Sequence, residues 1–153
     1  MKIKIISVGN SPAKWAKDAL IKYISRFDGN FKIELIEIKS DKNSKSIEHK
    51  KLQEAKKILK YIDNSFIVSL DENGSSCSSK KLSEKLSNWM QNFSKLTFII
   101  GGADGLDKTI TNNSNWIWSL SKLTLPHNLV KIILIEQLYR ASTILNNHPY
   151  HRE

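Results

Sequence analysis

His148, Tyr150, His151 and Arg152 crowd into five residues near the carboxyl end of the chain. Rings stack on unpaired bases and a guanidinium pairs with phosphate, so this cluster suits RNA. Two histidines also raise metal binding, but no carboxylate or cysteine completes a convincing ligand set, and no metal is expected. Further upstream, Gly101-Gly102-Ala103-Asp104-Gly105 places three glycines in five residues, which allows a ligand to approach the backbone closely. No Gly-Lys-Ser/Thr follows, and the spacing is not G-x-G-x-x-G, which weighs against phosphoryl and hydride transfer. A third segment, Ser121 to His127, has amides and carbonyls flanked by Leu123 and Leu125, a composition able to pair with an adenine edge and bury its faces. Taken singly, the three segments also read as a frayed terminus, a tight turn and a buried connection.

The surrounding pattern says how these segments are held. Apolar runs at 2–8, 31–38, 66–70, 96–100 and 116–120 read as strands. Helical spacing follows each of them. Ser11 and Pro12 suggest a cap and first turn for a stripe of Trp15, Leu20, Tyr23 and Phe27. Leu52, Ala55, Ile58, Leu59 and Ile62 mark a helix over 47–62, and Leu82, Leu86, Trp89, Met90 and Phe93 mark another. A short helix over 105–115 and a long one over 127–145 complete a βαβαβαβαβα order. Residues 39–46 and 71–79 read as loops. The alternation predicts one α/β domain over residues 1–153, a mostly parallel sheet with helices on both faces. Ligands of such sheets bind beyond the carboxyl ends of strands, which points to the loops after Leu70, Ile100 and Leu120. Helix 127–145 is apolar nearly all round, so one face is expected on the sheet and another on a second copy of the chain.

Composition narrows the partner. The 153 residues carry a net charge of +9, which favours an acidic partner such as nucleic acid or an anionic membrane surface. Cys77 is the lone cysteine, so no disulfide framework is expected and a reducing compartment fits. The opening Met1–Ile6 lacks the apolar length of a signal peptide and no run approaches a membrane span, so a cytoplasmic protein is expected.

Four ordered motifs carry a resemblance across the whole chain. Ile99–Gly105, Ser119–His127, Glu136–Ala141 and Asn147–Glu153, together with Val68–Asp71, resemble the RlmH family of SPOUT-class methyltransferases. The resemblance implies modification of a pseudouridine in 23S ribosomal RNA, carried in the large subunit or the whole, assembled ribosome. The resemblance implies a deep trefoil knot in the C-terminal half, S-adenosylmethionine held in the knot's loops, and a homodimer. Carried over, Leu70, Gly101, Gly102 and the run Ser121, Lys122, Leu123, Thr124, Leu125 and Pro126 line the methyl-donor pocket. Arg140, His148, Tyr150, His151 and Arg152 lie near the target base, one subunit's tail completing its partner's site. Two positions depart from the family: Ala103 stands where Pro is frequent, and Ser75 follows Gly74 where Lys is common.

The implied target is N3 of pseudouridine, whose proton must leave as the methyl arrives. Histidine is the side chain that titrates near neutrality unaided, so His151 is the first candidate base and His148 the second. An arginine stabilising an imide anion is the alternative. Two competing functions remain: a SPOUT ribose 2′-O-methyltransferase, and a ribosome-binding factor that keeps the fold without catalysis.

Overall fold

A computed structural model describes residues 1–152. Five strands form one sheet: β1 (Lys2–Val8), β2 (Lys32–Ile38), β3 (Phe66–Ser75), β4 (Lys95–Ile100) and β5 (Trp116–Trp118). They lie in the order β2-β1-β4-β3-β5, and every pairing is parallel. Between and after them come α1 (Lys14–Ile24), α2 (Ile47–Leu59), α3 (Ser79–Asn92), α4 (Lys108–Asn112) and α5 (His127–Leu145).

Alternation along the strands divides the core in two. On one face Ile3, Ile5, Phe98 and Val68 meet Leu20 of α1, Leu82 and Leu86 of α3, and Leu134, Ile135 and Leu138 of α5. On the other Ile6, Val8 and Ile99 meet Ala55 and Ile58 of α2 and Ile110 of α4. Helices therefore cover both faces, as the sequence predicts. No helix among the described residues is long and apolar enough to cross a membrane.

Several local expectations change. Helix α1 begins at Lys14 after Ala13, with no side-chain cap, so Ser11 and Pro12 lie outside it. Trp15 is 56% exposed, because the buried line of this helix runs through Ala16 and Leu20. Leu52, Leu59, Met90 and Phe93 likewise keep substantial exposure. Strand β3 continues to Ser75 instead of ending at Leu70. Its ladder to β5 breaks after the Leu70–Trp118 pair and resumes at Ser75, so residues 71–74 bulge out. Gly74 permits this, since a Cβ there would sit 2.8 Å from the backbone of Ile117.

Helix α5 ends in a Schellman turn. Asn147 takes φ 51°, its N–H donates to the Ile144 carbonyl, and the His148 N–H donates to the Thr143 carbonyl at 2.9 Å. The turn sends residues 148–152 back along α5.

Candidate active site

The carboxyl ends of the strands open into a cleft of about 1600 Å³. Leu70, Gly101, Gly102, Ser121, Leu123, Thr124, Leu125 and Pro126 all line it. Of the nine residues expected at the methyl-donor pocket, Lys122 alone is not on its wall; it is exposed to solvent. Leu123 is 75% exposed at the cleft, an apolar side chain that a flat aromatic ring would cover.

The glycine loop is rigid by packing. Gly105 takes φ 79° and donates its N–H to the Gly102 carbonyl at 3.0 Å, closing a tight bridge. A Cβ on Gly101 would lie 2.9 Å from the Gly105 carbonyl carbon and 3.0 Å from Leu106 Cγ. Helix α2 holds the same loop from behind. Lys50 Nζ donates to Asp104 Oδ2 at 2.6 Å, and that hydrogen bond raises the Lys50 pKa above its ordinary value. Buried Glu54 accepts from Ser40 Oγ and the Asp41 N–H, tying the β2–α2 connection to the same helix.

At the opposite wall α5 begins. Its first residue, His127, shares a hydrogen bond of 2.9 Å with buried Ser7 Oγ. Burial lowers the His127 pKa, nearby Lys131 lowers it further, and Glu37 pulls the other way. One turn on, the Lys131 ammonium lies buried against the Glu37 carboxylate at 2.8 and 3.0 Å. Lys50, Glu54, His127 and Lys131 were not singled out from sequence. Their partners are distant along the chain, and only His127, beside Pro126 in a quoted motif, had a local signal.

The tail cluster stands elsewhere. Glu136 accepts from Arg140 through a short ion pair and from Tyr150 Oη at 3.1 Å. Arg140 stacks on the Tyr150 ring at 4.8 Å and donates to His151 Nδ1 at 3.4 Å. Tyr139 meets the Tyr150 ring edge-on at 4.9 Å. Burial, with hydrogen bonds to Tyr23 and Glu136, pushes the Tyr150 phenol up to about 12. The Tyr150 N–H donates to His148 Nδ1, while His148 and Arg152 remain exposed. Arg140, His148, Tyr150 and His151 thus gather together, with Arg152 next in the chain, and none of the five lines the cleft. Glu136 and Arg140 sit nine and thirteen residues along α5 from His127, about 14 and 20 Å at 1.5 Å per residue. A single chain keeps its tail away from its own cleft.

A five-stranded parallel sheet, glycine-lined at the carboxyl end of its central strand, defines an α/β domain with a cleft where such sheets hold their ligands. The family model described as Predicted SPOUT methyltransferase matches residues 1–151, and the chain belongs to this family. Among its relatives, the Ribosomal RNA large subunit methyltransferase H of Methylobacillus flagellatus is 42% identical, each protein being covered in full. The protein of the same name from Francisella philomiragia is 44% identical, over 99% of this chain and 100% of its own. A solved structure, a probable methylase family protein from Haemophilus influenzae, shares the fold at TM-score 0.57 and 12% identity, over 99% of this chain and 70% of that one.

Proposed function

We propose that this methyltransferase transfers a methyl group from S-adenosylmethionine to N3 of a pseudouridine in 23S ribosomal RNA, working as a homodimer. Relatives named for the large-subunit RNA, at 42–44% identity over the whole chain, carry the choice of substrate. The net charge of +9 agrees with a polyanionic one.

The residues of the cleft fit the donor. Leu123 and Leu125 offer apolar cover to an adenine, and the backbones of Gly101, Gly102 and the 121–126 run offer hydrogen bonds at its edge. The bound sulfonium supplies a methyl carbon already electrophilic, so the chain's task is to align the acceptor nitrogen with it. The knot implied by the family resemblance would lie where these two loops meet.

The tail supplies the other half. Glu136–Arg140 anchors it about 14–20 Å along α5 from the cleft wall, which supports a second subunit bringing its tail to this cleft. Exposed Leu129 on α5, with Trp15 and Ile21 on α1, offers apolar surface for that contact.

The tautomers favour one account of the proton. In both His148 and His151, Nδ1 accepts from a group that can only donate, a backbone N–H and the Arg140 guanidinium. Their neutral rings therefore carry hydrogen on Nε2 and present donors, not lone pairs. Donors of this kind, with the arginines, stabilise an imide anion at the acceptor nitrogen. Histidine as general base is the weaker reading.

The test incubates purified protein and S-adenosylmethionine with unmethylated large subunits and with whole ribosomes, then digests the RNA for mass spectrometry. N3-methylpseudouridine is expected. A 2′-O-methylated nucleoside would identify the ribose enzyme, and no product with no donor uptake would leave only a binding factor.

A further inference from the structure

The cleft extends past the methyl-donor loops. Its other half runs over the carboxyl ends of β1 and β2, between Asn10–Ser11 and residues 40–51. A further cavity of about 550 Å³ opens there between Gly9–Ser11 and Lys39–Asn43. A single small molecule needs roughly 300–1000 Å³, so a cleft of about 1600 Å³ has room for more than the donor.

The two halves differ chemically. Leucines 70, 120, 123 and 125 line the donor side, whereas Asn10, Ser11, Ser40, Lys42, Ser44 and Lys51 line the other. From Lys39 to Lys51 the chain carries five lysines against Asp41 and Glu48. Asp41 is occupied by the Asn43 N–H and Ser44 Oγ, and Asp104 by Lys50. Neither Lys42 nor Lys51 makes a hydrogen bond or ion pair with a described residue; Asp107 lies within electrostatic reach of Lys51, and both ammonium groups line the groove. A groove lined by two lysines and by hydroxyl and amide donors, beside a base-modifying centre, suits the chain of phosphates on either side of the modified nucleotide. Such contacts fix register without reading sequence.

We propose that the β1–β2 half of the cleft seats the sugar–phosphate backbone of the RNA strand flanking the target, with Lys42 and Lys51 as phosphate contacts. The proposal rests on the ribosomal RNA reading above and adds where the strand lies.

The experiment measures binding of unmethylated large subunits across a salt series, with donor affinity measured in parallel by calorimetry. Wild type is compared with Lys42→Ala/Lys51→Ala and with Lys56→Ala/Lys60→Ala, which removes two exposed lysines toward the other end of α2. The groove pair is expected to bind subunits more weakly and to flatten the plot of log K against log[salt] by about 0.7–0.9 per lysine. Its donor affinity should match wild type, and the control pair should keep the wild-type slope. Equal slopes in wild type and the groove pair, or an equal loss in the control pair, would overturn the proposal. Wild-type protein that binds neither subunits nor donor would instead remove the reading beneath it, and this inference with it.

Discussion

Ser7 Oγ and His127 Nε2 stand 2.9 Å apart, joining the buried end of β1 to the first residue of α5 across 120 positions of sequence. The contact closes one wall of the cleft, and Gly9 makes room for it, since a Cβ there would lie 3.0 Å from the same nitrogen. Burial lowers the His127 pKa, so between its folded and unfolded values the folded chain binds fewer protons than the unfolded one. Stability contributed by this residue is therefore intact above about 6.5 and declines as the pH falls below it. Urea midpoints at pH 7.5 and 5.5 should show the decline, and His127→Gln should reduce it. An identical pH response in the variant would contradict this.

Gly101→Ala tests the rigidity of the donor loop. Its Cβ would meet Gly105 backbone at 2.9 Å, where no flexible side-chain end can give way. The cost is roughly 1–3 kcal/mol of overpacking strain, with a weaker uptake of S-adenosylmethionine. Thermal melting and calorimetry read both, and a variant that melts and binds like wild type would show the loop to be pliable.

The Glu37–Lys131 pair should respond unequally to its two neutral substitutions. Lys131 is 1% exposed at its side chain and Glu37 is 29% exposed. Lys131→Met leaves a carboxylate that still reaches water, costing on the order of 1–3 kcal/mol. Glu37→Gln strands a buried ammonium, costing roughly 3–5 kcal/mol. Equilibrium unfolding in urea gives the ranking, and the reverse order would mean that Glu37 is the dependent partner.

The histidine tautomers predict the pH–rate profile. With imide stabilisation by donors, kcat should keep rising with pH above 7.5, as more substrate nitrogen ionises. A general-base histidine would instead give a rate that levels off at high pH, once the base is fully deprotonated. Single-turnover methyl transfer across this range separates the two.

Periodicity alone gave the order of strands and helices, because local spacing carries it. Non-local contacts explain the misreadings. Strand β3 passes Leu70 because Ser75 finds Trp118 again after a bulge, a pairing that no window around residue 71 contains. Lys131 sits in the most apolar helix of the chain, and its partner Glu37 lies 94 residues away. The donor-pocket residues were named through their motif rather than their chemistry, and eight of nine line the cleft. The separation of the tail from the cleft depends on the turn at Asn147, for which two adjacent asparagines are the available signal.

That separation makes two-subunit assembly the central claim, and mixed dimers test it most directly. One variant carries Leu123→Glu and Leu125→Glu, which spoil the apolar cover of the cleft for the donor; the other carries His151→Ala and Arg152→Ala, which disable the tail. Each alone should be nearly inactive. Unfolded and refolded together, random pairing makes half the dimers mixed, each with one complete site, so about a quarter of wild-type turnover should return. A mixture as inactive as its components would contradict the account.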